Sequence, residues 1–152
     1  MNTLSPTYDN QGDGPVDTPI EQIVPGLTRS WLQHRQIVMF TISSSSRDVV
    51  DAWIACVKET MEHWPKGQLY LAIHDMTSEK VWLTPYARKR AEELLPLDTG
   101  ASGYAALLLS PNFVSHVVRM YLRLHKQQGN ENQIFFTMTD AVNWLKVKAS
   151  KI

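Results

Sequence analysis

Four times along this chain an apolar, β-rich run gives way to a short polar turn and then to a helix signal. The runs are Ile37-Val38-Met39-Phe40, Leu69 to Ile73, Tyr104 to Leu109 and Gln133 to Thr137. Consecutive parallel strands need a crossover of a dozen or more residues, usually a helix. Strands alternating with helices of this length therefore predict an α/β fold, with a mostly parallel sheet covered by helices and right-handed connections. A continuously apolar run such as Ile37-Val38-Met39-Phe40 is what a strand covered on both faces needs.

The helix signals are local and physical. Ser43 to Ser46 offers side-chain caps, with Asp48 three residues after Ser45, and Val49, Val50, Trp53, Ile54, Val57, Met61 and Trp64 recur at helical spacing until Pro65-Lys66-Gly67. Thr84 as cap and Pro85 at the first helical position open a second helix that runs to Pro96. Ser110 and Pro111 open a third, through about Gln127. Thr139 caps a fourth, with Asp140 at its positive end. Ahead of these units, Leu27 to Leu32 and Ile37 to Ile42 pair as a hairpin across Gln33-His34-Arg35-Gln36, which has no Gly or Asn. The expected architecture is about five strands and about four helices with an N-terminal hairpin.

The 152 residues suit one domain with its own core. Residues 1–25 are rich in Pro, Gly, Asp, Ser and Thr and contain no Lys or Arg, so they read as a flexible acidic tail before a single domain over 26–152. Fifteen basic and fifteen acidic residues cancel, which argues against a nucleic-acid partner. Cys56 is the only cysteine, so no intrachain disulfide forms and a reducing compartment fits. The N-terminus carries neither a basic nor an apolar leader segment, and the apolar run Tyr104 to Leu109 is far too short to span a bilayer. A soluble cytoplasmic protein is the expectation.

Motifs that carry chemistry are sparse. Thr99-Gly100-Ala101-Ser102-Gly103 resembles a dinucleotide loop, but it precedes a strand instead of following one, so it reads as a connector and no cofactor is expected. His34, His63, His74, His116 and His125 are scattered, and no metal site is expected. His74 and Asp75 are neighbours on an extended strand and point to opposite faces, which works against a catalytic triad with Thr77 or Ser78, and no catalytic residue is assigned. Arg119, Arg123 and Lys126, with His116, form a basic stripe on the third helix: a solvated face, or a lipid or membrane-surface contact.

What remains is the polar turn after Ile73, His74-Asp75-Met76-Thr77-Ser78. In open α/β sheets ligands bind outside the carboxyl ends of the strands. The binding candidates are therefore Asp75, Thr77 and Ser78, with Ser45 and Ser110 at the neighbouring turns. Simple turn-capping by the same side chains is the competing account.

The element order over residues 27–149 is similar to the STAS and SpoIIAA-like domains. Three stretches carry the resemblance: Asp75-Met76-Thr77, Leu83-Thr84-Pro85-Tyr86-Ala87-Arg88, and Ile134-Phe135-Phe136 followed by Asp140-Ala141-Val142-Asn143-Trp144-Leu145. The resemblance implies a non-enzymatic regulatory or protein-interaction domain, whose partner is an unknown protein or a small anionic ligand. In phosphorylatable members it implies a phosphosite, here Thr77, at the tip of the following helix. This chain departs from that pattern, because Ser78 replaces the usual small residue and Thr84-Pro85 starts the helix several residues later. A lipid-binding module is the alternative, with an enzyme of unknown class as a further one, and oligomeric state stays open.

Overall fold

In the computed structural model, residues 19–81, 84–94, 103–111 and 130–150 are described. They form a six-stranded mixed sheet in which the strands lie in chain order: β1 (Glu21–Val24), β2 (Leu27–Leu32), β3 (Ile37–Ile42), β4 (Tyr70–Met76), β5 (Gly103–Leu109) and β6 (Asn130–Phe135). β1, β2 and β3 pair antiparallel, whereas the β3–β4, β4–β5 and β5–β6 pairs are parallel. Three α-helices occur among the described residues: α1 (Arg47–Glu62), α2 (Pro85–Ala91), which a short 3-10 turn (Glu92–Leu94) continues, and α3 (Met138–Ala149).

The hairpin β2–β3 forms where the sequence places it, with Leu27 opposite Ile42 and Leu32 opposite Ile37. Its loop has an unusual solution. Gln33, His34 and Arg35 all take positive φ, at 53°, 56° and 63°. Three side-chain-bearing residues occupy the left-handed region that glycine adopts without penalty.

Strand alternation sorts the sheet into two cores. On one face Leu27, Val38, Phe40, Ile42, Tyr70 and Ala72 meet the apolar stripe of α1, including Val49, Trp53, Ile54 and Val57. On the other face Leu32, Ile37, Leu71, Ile73, Ala106 and Leu108 meet Ala141, Val142 and Leu145 of α3. Helices on both faces explain why β4 reads as an apolar run without alternation: Tyr70, Leu71, Ala72 and Ile73 are all buried. Gly103 opens β5 beside Tyr70, where a Cβ would lie 2.2 Å from the Tyr70 carbonyl oxygen. That close approach accounts for the glycine at the end of the connector.

Several boundaries differ from the sequence reading. A sixth strand, β1, lies inside the segment read as acidic tail. Its outer residues are polar, but Ile23 and Val24 pack on the first core and Arg29 holds Glu21 at 2.8 Å. β4 runs through His74, Asp75 and Met76 instead of stopping at Ile73, because His74 is itself a core residue. α1 is capped by Ser46, whose hydroxyl accepts from the Val49 amide at 3.4 Å, not by Ser45. β6 ends at Phe135, and Thr137, not Thr139, caps α3. Thr84 and Pro85 open α2 as expected, with the Thr84 hydroxyl accepting from Ala87 at 3.0 Å. The third expected helix and residues 1–18 fall outside the described residues.

Candidate functional site

The carboxyl ends of the parallel strands align in a register that the sequence does not display. Thr41 pairs with Asp75, Asp75 with Leu108, and Leu108 with Phe135. Two residues beyond that row, the four chains carry Ser43, Thr77, Ser110 and Thr137. Every parallel strand thus leaves the sheet through a hydroxyl residue at the same level.

Each hydroxyl whose bonds are seen here serves its own turn or cap. Thr137 Oγ1 accepts from the Asp140 amide at 3.2 Å. Ser44 Oγ accepts from the Ser46 amide at 3.2 Å, and Ser78 Oγ accepts from the Lys80 amide at 3.4 Å. Asp75 Oδ1 accepts from both the Thr77 amide, at 3.1 Å, and the Thr77 hydroxyl, at 2.7 Å. This is an Asx-type turn, in which a carboxylate replaces a backbone acceptor and turns the chain out of the strand. Asp75, Thr77 and Ser78 are half-buried in the turn, as are Ser45 ahead of α1 and Ser110 after β5.

The structure therefore brings Asp75, Thr77 and Ser78 together and places Ser45 and Ser110 on the flanking strand ends. Thr77 does not stand at a helix tip, since α2 begins at Pro85. The basic stripe Arg119, Arg123 and Lys126 lies outside the described residues.

His74 turns away from this lip. Its ring stacks on Phe40 with centroids 5.2 Å apart and meets Trp53 edge-on at 5.5 Å. Trp53 Nε1 donates to His74 Nδ1 at 3.0 Å, which makes Nδ1 an acceptor and the imidazole neutral. Burial pushes its pKa down to about 4. With Asp75 on the opposite face, the two adjacent residues belong to different surfaces of the sheet, and the pair cannot act as base and orienting carboxylate.

A second polar constellation, not anticipated from sequence, joins α1 to α2. Asp51 Oδ1 accepts from both the Tyr86 hydroxyl and Arg90 Nε, the latter at 3.1 Å. Arg90 also meets Glu93 at 2.5 Å, Lys58 lies 3.6 Å from Glu93, and the Arg47 guanidinium sits 4.7 Å over the Tyr86 ring. The hydrogen bond to Asp51 holds the Tyr86 phenol above its ordinary pKa. Only the spacing of Tyr86 and Arg90, four apart on one helix face, hinted at this in sequence.

Cys56 is buried and burial pushes its thiol pKa up, the signature of an inert core cysteine. Among the described residues no group of His, Cys, Asp and Glu is arranged to hold a metal ion, and no helix is long and apolar enough to cross a membrane. No family model matches the chain, and no curated protein or solved structure matches it at a significant level.

Proposed function

We propose that this chain is a non-enzymatic regulatory or protein-interaction domain of STAS-like type, which receives a protein partner or a small anionic ligand at the carboxyl ends of β3 to β6. The observation that carries this reading is the common level of Ser43, Thr77, Ser110 and Thr137 across four adjacent strands. A rank of hydroxyls and amides on a rigid sheet edge offers donors and acceptors at fixed spacing, which suits recognition. The same edge lacks a paired nucleophile and base among the described residues: the one nearby imidazole is buried, neutral and on the other side of β4.

Within this reading, Thr77 is the regulated position. Its hydroxyl is bonded to Asp75, so a phosphate there would meet a carboxylate and break the turn instead of being cradled by helix amides. Phosphorylation would act by disruption. Mass spectrometry of protein from its own cells tests this, with phosphate expected at Thr77; its absence there across growth conditions argues against the phosphoswitch.

The binding reading is tested by the size of the native species in extracts of those cells. The wild-type chain is expected to elute well above its 17.3 kDa mass, and Ser43→Arg with Ser78→Arg to shift it down to monomer size at unchanged melting temperature. A wild-type chain that elutes as a free monomer under every condition contradicts the protein-partner form of it.

A further inference from the structure

The attachment of α2 to the molecule is built differently from that of α1 and α3. α1 and α3 bury continuous apolar stripes: Val49, Val50, Trp53, Ile54 and Val57 on one, Ala141, Val142 and Leu145 on the other. Among the described side chains of α2, Arg88 and Lys89 are exposed, Tyr86 and Arg90 are half-buried, and Ala87 is buried. Among the described side chains its docking runs chiefly through polar contacts to α1, and two of them end on a single atom, Asp51 Oδ1. The Lys58–Glu93 pair and the stacking of Arg47 on Tyr86 add to them. These groups stand substantially in water: the Asp51 side chain is 48% exposed and that of Glu93 40%.

Exposed ion pairs of this kind are individually weak and are screened by salt, whereas the apolar burial that anchors α1 is not. Segments with few buried apolar contacts open locally well before the whole molecule unfolds. We propose that α2 and its 3-10 continuation, residues 84–94, form a detachable clip latched by Asp51. The clip releases from α1 as a unit while the sheet and both cores stay folded.

The clip deepens the functional reading above, since α2 follows in sequence from the Thr77–Ser78 turn. Release then gives the clip freedom to yield to a partner that binds at that turn. The regulating chemistry is whatever competes for Asp51 or for its two donors: a cationic group that pairs with the carboxylate, or an anion that takes Arg90. Release is a property of the isolated chain and is measured without a partner, so its failure is distinct from failure of the binding reading.

Hydrogen–deuterium exchange read by mass spectrometry tests the latch. In Asp51→Asn, amides within 84–94 are expected to exchange at least tenfold faster than in wild type, while those within 49–57 of α1 keep their protection. Asp48→Asn, an exposed neighbour on the same helix, serves as control and is expected to leave both segments unchanged. Wild-type protein moved from 0.05 M to 0.5 M sodium chloride is expected to show the same selective acceleration, which covers the case in which the Asp51 variant folds poorly. Unchanged exchange at 84–94 in both the variant and high salt overturns the proposal. So does acceleration of 49–57 in step with 84–94, since α2 would then open only with the whole molecule.

Discussion

Burial holds the His74 imidazole neutral, with a pKa of about 4 against 6.5 for an unperturbed histidine, so the folded and unfolded chains bind protons differently between those values. As pH falls through this window the unfolded chain takes up a proton that the native chain refuses, and stability declines with falling pH until about pH 4. The loss attributable to His74 is about 3 kcal/mol, at about 1.4 kcal/mol per pKa unit. Urea unfolding at pH 7.5 and 4.5 measures it: wild type should lose that much more than His74→Gln, and equal losses would show that the buried imidazole is not responsible. Two backbone positions make equally local predictions. Gly103→Ala would drive a methyl into the Tyr70 carbonyl and cost about 2 to 3 kcal/mol in denaturant titration. His34→Gly, at φ 56°, should raise stability by about 0.5 to 1 kcal/mol, the gain from relieving a left-handed residue less the added chain entropy. At this scale the sequence was partly legible. Alternation on a strand was enough to separate His74 from Asp75, but the core role of His74 depends on Trp53, a donor twenty-one residues away that no local pattern announces.

Among the elements, those fixed by local chemistry were the readable ones. α1 declared itself by its apolar spacing and α2 by Thr84-Pro85, because caps and stripes are written within a few residues. The sequence leaves the start of α3 two residues uncertain: Thr137 and Thr139 both offer a hydroxyl, and only the end of β6 at Phe135 decides between them. Thr137→Ala is expected to cost about 1 kcal/mol in thermal or urea unfolding, the usual worth of an N-cap. β1 is illegible in the sequence for a different reason. Glu21-Gln22-Ile23-Val24 is too short and polar to look like a strand, and it is held by a tertiary ion pair to Arg29 and by packing of Ile23 and Val24 on the first core. Thr84→Ala should act differently from the α3 cap substitution. It removes a bond from a helix whose described contacts to α1 are mainly polar, so it should speed amide exchange in residues 84–94 far more than it lowers the melting temperature.

Over the whole molecule, sequential strand order between two helix-covered faces puts β4 in the interior of the sheet, and its carboxyl end is where the Asp75–Thr77 turn projects. The α/β class followed from the alternation of runs and helices. The alignment of Ser43, Thr77, Ser110 and Thr137 did not, because register is set by pairing between segments far apart in the chain. That alignment makes one end of the sheet a candidate recognition surface. Among the described residues, the opposite end, with the Gln33–Arg35 loop and the turn before β4, shows no such row. The most direct test places a photo-crosslinking amino acid singly at positions 43, 78 and 110 on one end and at 34 and 66 on the other, in protein expressed in its own cells. Covalent species heavier than the 17.3 kDa chain are expected from 43, 78 and 110 and not from 34 or 66. Crosslinks that are absent everywhere, or that form equally from both ends, would contradict a contact surface at the strand ends.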